Sequence, residues 1–498
     1  MGRYDELMSL SLRKGFLIPS AEIYGGLAGF YEYGHNGARL LRKWEDLWIE
    51  YFLGLGENYH LINSSSVLPY SALEASGHVD LFTDILIYCT KCKEAHRADQ
   101  LIEAVTGTSG EGMDAAQVKA AIMDNDIRCQ RCGGTLGEPV PFNIMFPLSM
   151  GPRGEEKAFL RPETAQGAYL SFRREFEILR KRLPLGLAIV GKVYRNEISP
   201  RQGTYRMREF HQAELQIFFD PETFERGLDL REVEDVSLRV VREEDRERVA
   251  ERTVIELLDE GDLPAFYLYH LAKVQEFYLD ALQVPQDAFR LYELNQAERA
   301  FYNRIHFDVQ VRMDSLGGFR EVGGVHYRTD YDLTRHAEHS KKRMEVFHHG
   351  RRFIPEVLEL SFGIDRNIWA LLDLDYDIGK KAVLHIPVRL APFTCAVFPL
   401  LNRGGLPEMA RRVYREIRRW FDTLYDDSGS IGRRYARMDE IGTPYCLTVD
   451  HESLEAEDLT LRERDSTDQV RISVGELRPT LTRLLEGSIS FKDLQVGG

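Results

Sequence analysis

Cysteine is scarce in this chain, with six residues among 498. So few thiols exclude the disulfide scaffold of a small secreted domain. Long apolar runs are missing as well, and no stretch approaches the roughly twenty apolar residues that a membrane-spanning helix needs. The opening segment MGRYDELMSLSLRKGFLIPS is polar and lacks the apolar centre of a secretory signal. Positive charge is in deficit: 64 Lys and Arg stand against 79 Asp and Glu, for a net charge of -15. That balance excludes a general nucleic-acid coating protein, although a local basic patch stays possible. There is no internal repeat, no low-complexity tract and no GxxxxGK[ST] loop, so any nucleotide site must be built from side chains. The expectation is a cytoplasmic globular chain of about two to four domains, with no membrane contact.

What is present falls into segments. In GARLLRKWEDLWIEYFLGLG, the residues Leu40, Leu41, Trp44, Leu47, Trp48, Tyr51 and Phe52 recur at steps of three and four, with charges between them. This spacing predicts an amphipathic helix, facing either the core or a second subunit. Residues 222–300 are heavily charged and read as a solvated helical insertion. Residues 301–335 alternate and carry glycines, and PEVLELSFGIDRNIWALLDL reads as a strand running into a helix. From about residue 386 the pattern becomes strand, helix, strand (CAVFP, PEMARRVYREIRRWFDTLY, TPYCLTV, QVRISV), the mark of a compact α/β unit.

The chemistry concentrates in residues 186–219, which read as two strands around a turn-rich loop. Side chains alternate across a strand. Arg206, Arg208, Phe210, Gln212, Glu214 and Gln216 therefore share one face, and Ala213, Leu215 and Ile217 share the other. A hairpin sets Arg195 and Glu197 beside the polar face. Such a face is either solvated, with surface ion pairs, or a site for phosphates, a purine and an ammonium. Arginine forks suit phosphoryl oxygens, an aromatic ring suits a base, and a carboxylate suits a cation.

YRNEISPRQGTYRMREFHQAEL resembles motif 2 of the class II aminoacyl-tRNA synthetases, with its R-x-E, variable loop and R-x-x-E-F. ELSFGIDRNIWAL is similar to motif 3, and the helix around residues 37–54 followed by SSSVLP is similar to motif 1. Within that class, EIYGGLAGFYEYGHNG, ASGHVDLFTD, HRADQLI, FNIMF, LRPETAQGAYL, YRTDYDL and VLELSFGIDR resemble the dimeric glycyl-tRNA synthetase family. Two positions depart from it: His35 and Leu360 stand where the family usually has proline. The resemblance implies an α+β fold with an antiparallel catalytic sheet flanked by helices over residues 1–385. Inside it lie a zinc-ribbon-like insertion (86–136) and the helical insertion (222–300). A separate α/β anticodon-binding domain would occupy 386–498.

The resemblance also implies roles. Arg195, Arg206 and Arg366 would be catalytic, Arg195 at the α-phosphate of ATP and Arg206 at its β- and γ-phosphates, with Arg366 and Phe210 on either face of adenine. Asn196, Glu197, Tyr205, Glu321, Val322 and Gly363 would complete the ATP site, with Glu321 a ligand of Mg²⁺. Glycine would be held by Glu163, Glu214, Glu359 and Ser361, with Phe210, His211, Gln212 and Gly363 around it and Arg97 and Arg328 near its carboxylate. Glu163 and Glu359 could instead pair structurally with arginines. The implied reaction joins glycine to tRNA(Gly) through a glycyl-adenylate, in a homodimer. The reaction needs positioning and charge neutralisation rather than a protein nucleophile. A pocket too small for a methyl group would reject larger amino acids without an editing domain. Two rivals remain: a non-catalytic accessory subunit, which would have lost these arginines, and a ligase for another small residue such as proline, against which RPETAQG and SFGIDR weigh.

Cys89-x-x-Cys92 and Cys129-x-x-Cys132 form two knuckles that could close a tetrahedral zinc site. A redox pair or unligated thiols are the other readings. The gap between the knuckles should hold a helix around Asp114–Asp126. Cys395 and Cys446 should be buried bystanders. In the C-terminal segment, Arg433, Arg434, Arg437, Arg462 and Arg464 would supply an RNA-facing surface, with Tyr435 stacking on a base.

Overall fold

The protein is described by a computed structural model covering residues 2–107, 110, 113–198, 200, 202–377, 379 and 381–496. Its centre is a nine-stranded sheet. In chain order the strands are β1 (Tyr59–Leu61), β2 (Leu185–Tyr194), β3 (Glu209–Phe219), β4 (Ser237–Val241), β5 (Ala250–Thr253), β6 (Phe289–Glu293), β7 (Ile305–Met313), β8 (Gly318–Thr329) and β9 (Glu356–Gly363). Across the sheet they run β5-β4-β6-β7-β8-β9-β3-β2-β1. Every pairing is antiparallel except β1–β2 and β4–β6. The hairpin β2–β3 and the strand β9 lie side by side although about 140 residues separate them in sequence.

Alternation settles which side chains meet. On the back of the sheet, Ala188, Ala213, Leu215, Ile217, Leu358, Leu360 and Phe362 join the largest hydrophobic core. Leu360 is fully buried there, on the side away from the polar face, so its departure from the family leaves the polar face untouched. Helix α1 (His35–Leu53) covers this back side with Leu40, Trp44, Leu47, Trp48 and Phe52. Its apolar stripe therefore serves the chain's own core. The first amides of α1, on Asn36 and Gly37, donate to the Gly15 carbonyl at 3.1 and 3.2 Å. A Cβ on Gly37 would fall 1.9 Å from the Phe16 carbonyl oxygen, so only glycine fits there. His35 is the first helical residue and is exposed. Proline suits that position because no backbone N–H is needed, and histidine is accepted for the same reason.

Helix α2 (Ala115–Asp124) sits in the cysteine module within the span expected, and Asp114 and Gln117 close a capping box at its start. On the front of the sheet α3 (Ala165–Ile178) packs Tyr169, Phe172 and Phe176 against Leu185, Leu187, Ile189 and Phe218.

The stretch 222–300 departs from expectation. It contributes β4, β5 and β6 to the sheet, and helix α4 (Ala265–Glu276) is buried along most of its length in the main core. The charges that suggested a solvated helix lie mostly in the turn after β4 and on the outer edge strand β5. Helices α5 (Tyr331–Ser340) and α6 (Ile364–Asp375) follow β8 and β9 directly. The C-terminal unit is a five-stranded mixed sheet with its own core, packed under helix α7 (Leu406–Ile417). Among the described residues no helix is long and apolar enough to cross a membrane.

Candidate active site

The front of the sheet bears a cavity of about 270 Å³. Register places Gly324, Ser361 and Glu214 in one row across β8, β9 and β3, with His326, Glu359 and Gln216 in the next. Glu214 accepts hydrogen bonds from Thr164 at 2.6 Å and Ser361 at 2.9 Å. Glu359 accepts from Arg328 at 2.9 Å and Gln216 at 2.8 Å. Glu163, held in the loop before α3, lies 3.4 Å from His78 and accepts from Gln166 at 3.1 Å. Arg328 also pairs with Asp332 at 2.9 Å.

This end of the cavity therefore holds the buried carboxylates of Glu214 and Glu359 and the partly buried one of Glu163 at its wall, with a fourth, Asp332, behind them. Arg328 serves Glu359, Asp332 and Glu163, and the charge of Arg161 acts on Glu214. Burial and the charges of Glu359 and Glu163 push the Glu214 carboxyl up to about 8. Burial also raises Glu359, against the pull of Arg328. Burial acts on Glu163 in the same sense, but His78, Arg328 and Gln166 overcome it and hold that carboxyl well below its usual range. A dry pocket with surplus negative charge is suited to a cation carrying several N–H donors. It is also tight. A Cβ on Gly324 would lie 2.5 Å from His326 Nε2, and one on Gly323 would lie 2.6 Å from the Ser361 carbonyl oxygen.

The other end is cationic. Arg206 is bound to Glu197 at 2.7 Å, and Arg366 to Glu321 at 3.0 Å, with the Arg366 guanidinium over the Tyr205 ring at 4.6 Å. Arg195 has no carboxylate within 4.0 Å among the described residues. Its guanidinium sits 5.3 Å from both the Phe82 and Phe210 rings and donates to the Pro162 carbonyl at 3.1 Å. An arginine in an aromatic slot with no direct ion-pair partner is an anion site with geometry already set.

Most of the expected residues meet here: Glu163, Arg195, Glu197, Tyr205, Arg206, Phe210, Gln212, Glu214, Glu321, Arg328, Glu359, Ser361, Gly363 and Arg366 all line the cavity. Four expected residues do not. Arg97 lies behind Glu197 and is spent on Asp84 at 2.9 Å and Asp99 at 2.5 Å. His211 turns to Asp365, whose carboxylate also accepts from Tyr33 at 2.6 Å. The backbone N–H of Asn196 donates to the Ile144 carbonyl at 2.6 Å, and Val322 is wholly buried in the core. Sequence reading missed Phe82, Asn303, His306, His326 and Asp365, which also line the cavity. For Asp365 the signal was available, since it precedes Arg366 at a strand-to-helix junction. Phe82 comes from a distant loop and left none.

Cys89, Cys92, Cys129 and Cys132 bring their sulfurs together within 4.8 Å of one another, with Cys89–Cys132 at 3.5 Å and Cys92–Cys129 at 3.6 Å. Four thiolates at about 2.3 Å from one centre would stand roughly this far apart, so the set fits zinc. His96 sits beside it, its Nε2 3.2 Å from Cys129 Sγ. Cys395 and Cys446 are buried bystanders, as expected.

The C-terminal arginines correct the sequence reading. Arg434 is buried and donates to the carbonyls of Asp427 and Gly429, at 3.0 and 2.8 Å. Arg462 pairs with Asp439 at 2.9 Å beneath the surface, and Arg464 with Asp465 at 2.7 Å. Arg437 is tied to Asp426 at 2.5 Å, and the Tyr435 hydroxyl to Thr448 at 2.7 Å. Only Arg433 of the five is exposed without a carboxylate partner among the described residues. These side chains brace the domain, because sequence alone cannot separate an internal arginine from a surface one.

Comparison with known proteins agrees with this geometry. Residues 148–374 match the class II tRNA synthetase core domain (G, H, P, S and T), and residues 394–484 match an anticodon binding domain. The glycine–tRNA ligase of Methanothermobacter thermautotrophicus is 37% identical over 97% of this chain and 99% of its own length. That of Methanothrix thermoacetophila is 36% identical over 99% of both, and that of Thermococcus sibiricus 34% identical over 97% and 99%. In fold alone, the chain resembles a prolyl-tRNA synthetase structure from Cryptosporidium parvum, with a TM-score of 0.58 at 12% identity over 97% of this chain and 77% of that one. With identities of this size running through nearly the full length of both partners, and motif arginines converging on one cavity, the chain belongs to the glycine–tRNA ligase family of class II aminoacyl-tRNA synthetases.

Proposed function

We propose that this chain attaches glycine to tRNA(Gly) in two steps at the front-face cavity. The observation that carries the reading is the surplus of buried carboxylates set against an unpaired arginine a few side chains away. Glu163, Glu214 and Glu359 grip the ammonium. Arg195, with no carboxylate within 4.0 Å among the described residues, takes the α-phosphate of ATP. The glycine carboxylate then attacks the α-phosphorus, the bond to pyrophosphate breaks, and pyrophosphate leaves with the electron pair. Arg206 and Arg366 exchange Glu197 and Glu321 for phosphate oxygens as the nucleotide enters. Mg²⁺, when bound, would neutralise phosphate charge, and Glu321 at the rim is placed to hold it. In the second step the terminal ribose hydroxyl of tRNA attacks the glycyl carbonyl and AMP departs.

Selectivity follows from the closed wall at Gly324 and His326, where a larger amino acid would need space that the imidazole fills. Arg97 acts at one remove, holding Glu197. The four-cysteine cluster would hold a structural zinc. The same reading includes a homodimer working in the cytoplasm. A dimer contact would use surfaces other than the α1 stripe, which is buried in its own core. The decisive experiment is amino-acid-dependent exchange between pyrophosphate and ATP. Exchange is expected with glycine only, and exchange with proline or serine instead would overturn the assignment.

A further inference from the structure

The carboxylates at the cavity wall differ in how their oxygens are used. Thr164 and Ser361 take one oxygen each of Glu214. In Glu163 both polar neighbours reach the same oxygen, Oε1. His78 Nε2 lies 3.4 Å from it, and Gln166 Nε2 donates to it at 3.1 Å. Oε2 has no hydrogen bond among the described residues, and it is not one of the sealed-off polar atoms of the interior. Glu163 lines the cavity, so Oε2 is the oxygen left for a ligand. What fixes Oε1 therefore decides where Oε2 points.

His78 is buried behind Glu163 and is not part of the cavity lining. Its other ring nitrogen, Nδ1, lies 2.8 Å from the hydroxyl of Ser76, which is buried too. Residues two apart face away from each other on a helix. Here the helix Tyr70–Ala75 stops at Ser76, Gly77 takes a left-handed φ of 84°, and a new turn starts at His78. Asn143 pins that turn from the far side, its Nδ2 donating to the carbonyls of His78 at 3.0 Å and Val79 at 2.9 Å. The Ser76 hydroxyl has one proton and two acceptors in reach, His78 Nδ1 at 2.8 Å and the Leu73 carbonyl at 3.3 Å. Given to the nearer imidazole, that proton leaves the N–H of neutral His78 on Nε2, aimed at Glu163. A protonated ring presents the same N–H. The other tautomer would set two lone pairs against each other. A second relay backs the first: His336 Nε2 donates to Gln166 Oε1 at 2.8 Å, and Gln166 Nε2 reaches Asp332 at 3.0 Å as well as Glu163.

We propose that His78, with its tautomer set by Ser76, is a positioning residue for amino-acid binding: it claims Oε1 of Glu163 and so turns Oε2 toward the ammonium in the cavity. A carboxylate held by one oxygen offers the other in a fixed direction, which a freely rotating group does not. The same short segment reaches the phosphate end, because the His78 ring packs on Phe82 at 5.3 Å and Phe82 stands beside Arg195. Its effect on glycine and its effect on ATP can therefore be measured apart. The inference rests on the glycine reading of the cavity and adds to it two side chains that touch neither substrate.

The test uses the full chain and pyrophosphate exchange, read as separate KM values for glycine and ATP. His78→Ala should raise the glycine KM about tenfold, the loss of a hydrogen bond to a charged group, and leave the ATP KM within about twofold. His78→Gln, whose amide nitrogen stands where Nε2 stood, should stay within about threefold of the parent. Ser76→Ala should raise the glycine KM about threefold in the parent and not at all on the His78→Gln background, because an amide has no tautomer to fix. A ring that only fills space gives a different pattern. Ser76→Ala would then act equally on both backgrounds, or both KM values would rise together as the thermal midpoint falls. Either result, or an unchanged glycine KM in His78→Ala, would overturn the inference. A parent that does not exchange with glycine would strike the amino-acid assignment itself, whereas glycine exchange that is indifferent to these variants strikes the positioning role alone.

Discussion

Replacing Glu214 by glutamine probes the carboxylate cluster most directly. In the empty cavity burial and two neighbouring carboxylates carry this group from 4.5 up to about 8. Between those values the folded chain keeps a proton that the unfolded chain has lost. The resulting penalty on folding is absent below pH 4.5, grows as pH rises, and is complete above about 8. A window of about three and a half pH units at about 1.4 kcal/mol each gives about 5 kcal/mol, reduced to about 3–5 if Glu359 shares the proton. Glutamine cannot ionise, so its urea midpoint should stay level across that window while the parent's falls. Binding reports the same charge with the opposite sign. An ammonium beside Glu214 favours the ionised form, so glycine binding at pH 7 should release close to one proton and tighten as pH rises toward 8. Calorimetry in two buffers of different ionisation enthalpy reads that proton. If the parent protein releases none, or if Glu214→Gln follows the same pH course as the parent, the carboxylate argument fails.

Three shorter predictions follow from the same geometry. Arg195→Ala removes a cation with no carboxylate within 4.0 Å among the described residues, so circular dichroism and thermal midpoint should hold while pyrophosphate exchange falls about 10²–10³-fold; retained exchange would mean that the arginine lies off the reaction path. Purified protein should carry about one zinc per chain by elemental analysis, and chelation should loosen residues 86–136 to proteolysis while the cavity persists. Zinc well under one equivalent would sink the metal site. Gly37→Ala should destabilise the chain by more than about 2 kcal/mol, because its Cβ would enter the Phe16 carbonyl, 1.9 Å away; an unchanged denaturation midpoint would show that this close approach is relaxed in solution.

The sequence by itself determined everything that depends on alternation and short-range spacing. The parity of residues 206–216 separated Gln212 and Glu214 from Ala213 and Leu215, because a strand has only two faces. The three- and four-residue steps of α1 marked out its apolar stripe, and the fold turned that stripe onto the chain's own core. The paired C-x-x-C knuckles pointed to a four-sulfur cluster, and the fold brought the two knuckles together.

What only the tertiary structure decided was which side chains were already occupied. Arg97, Arg195, Arg328 and Arg434 are indistinguishable as letters. Their duties differ because carboxylates or several carbonyls engage the other three, whereas Arg195 donates to one carbonyl, that of Pro162, and has no carboxylate within 4.0 Å among the described residues. The strands within 222–300 were hidden for a related reason: they are short, lie toward one edge of the sheet and carry charge, so neither alternation nor apolar length announced them. The cavity itself is a product of assembly, because β-ladder register sets Glu214 and Glu359 in adjacent rows, while Phe82 and Asn303 reach the same cavity from loops far away in the chain.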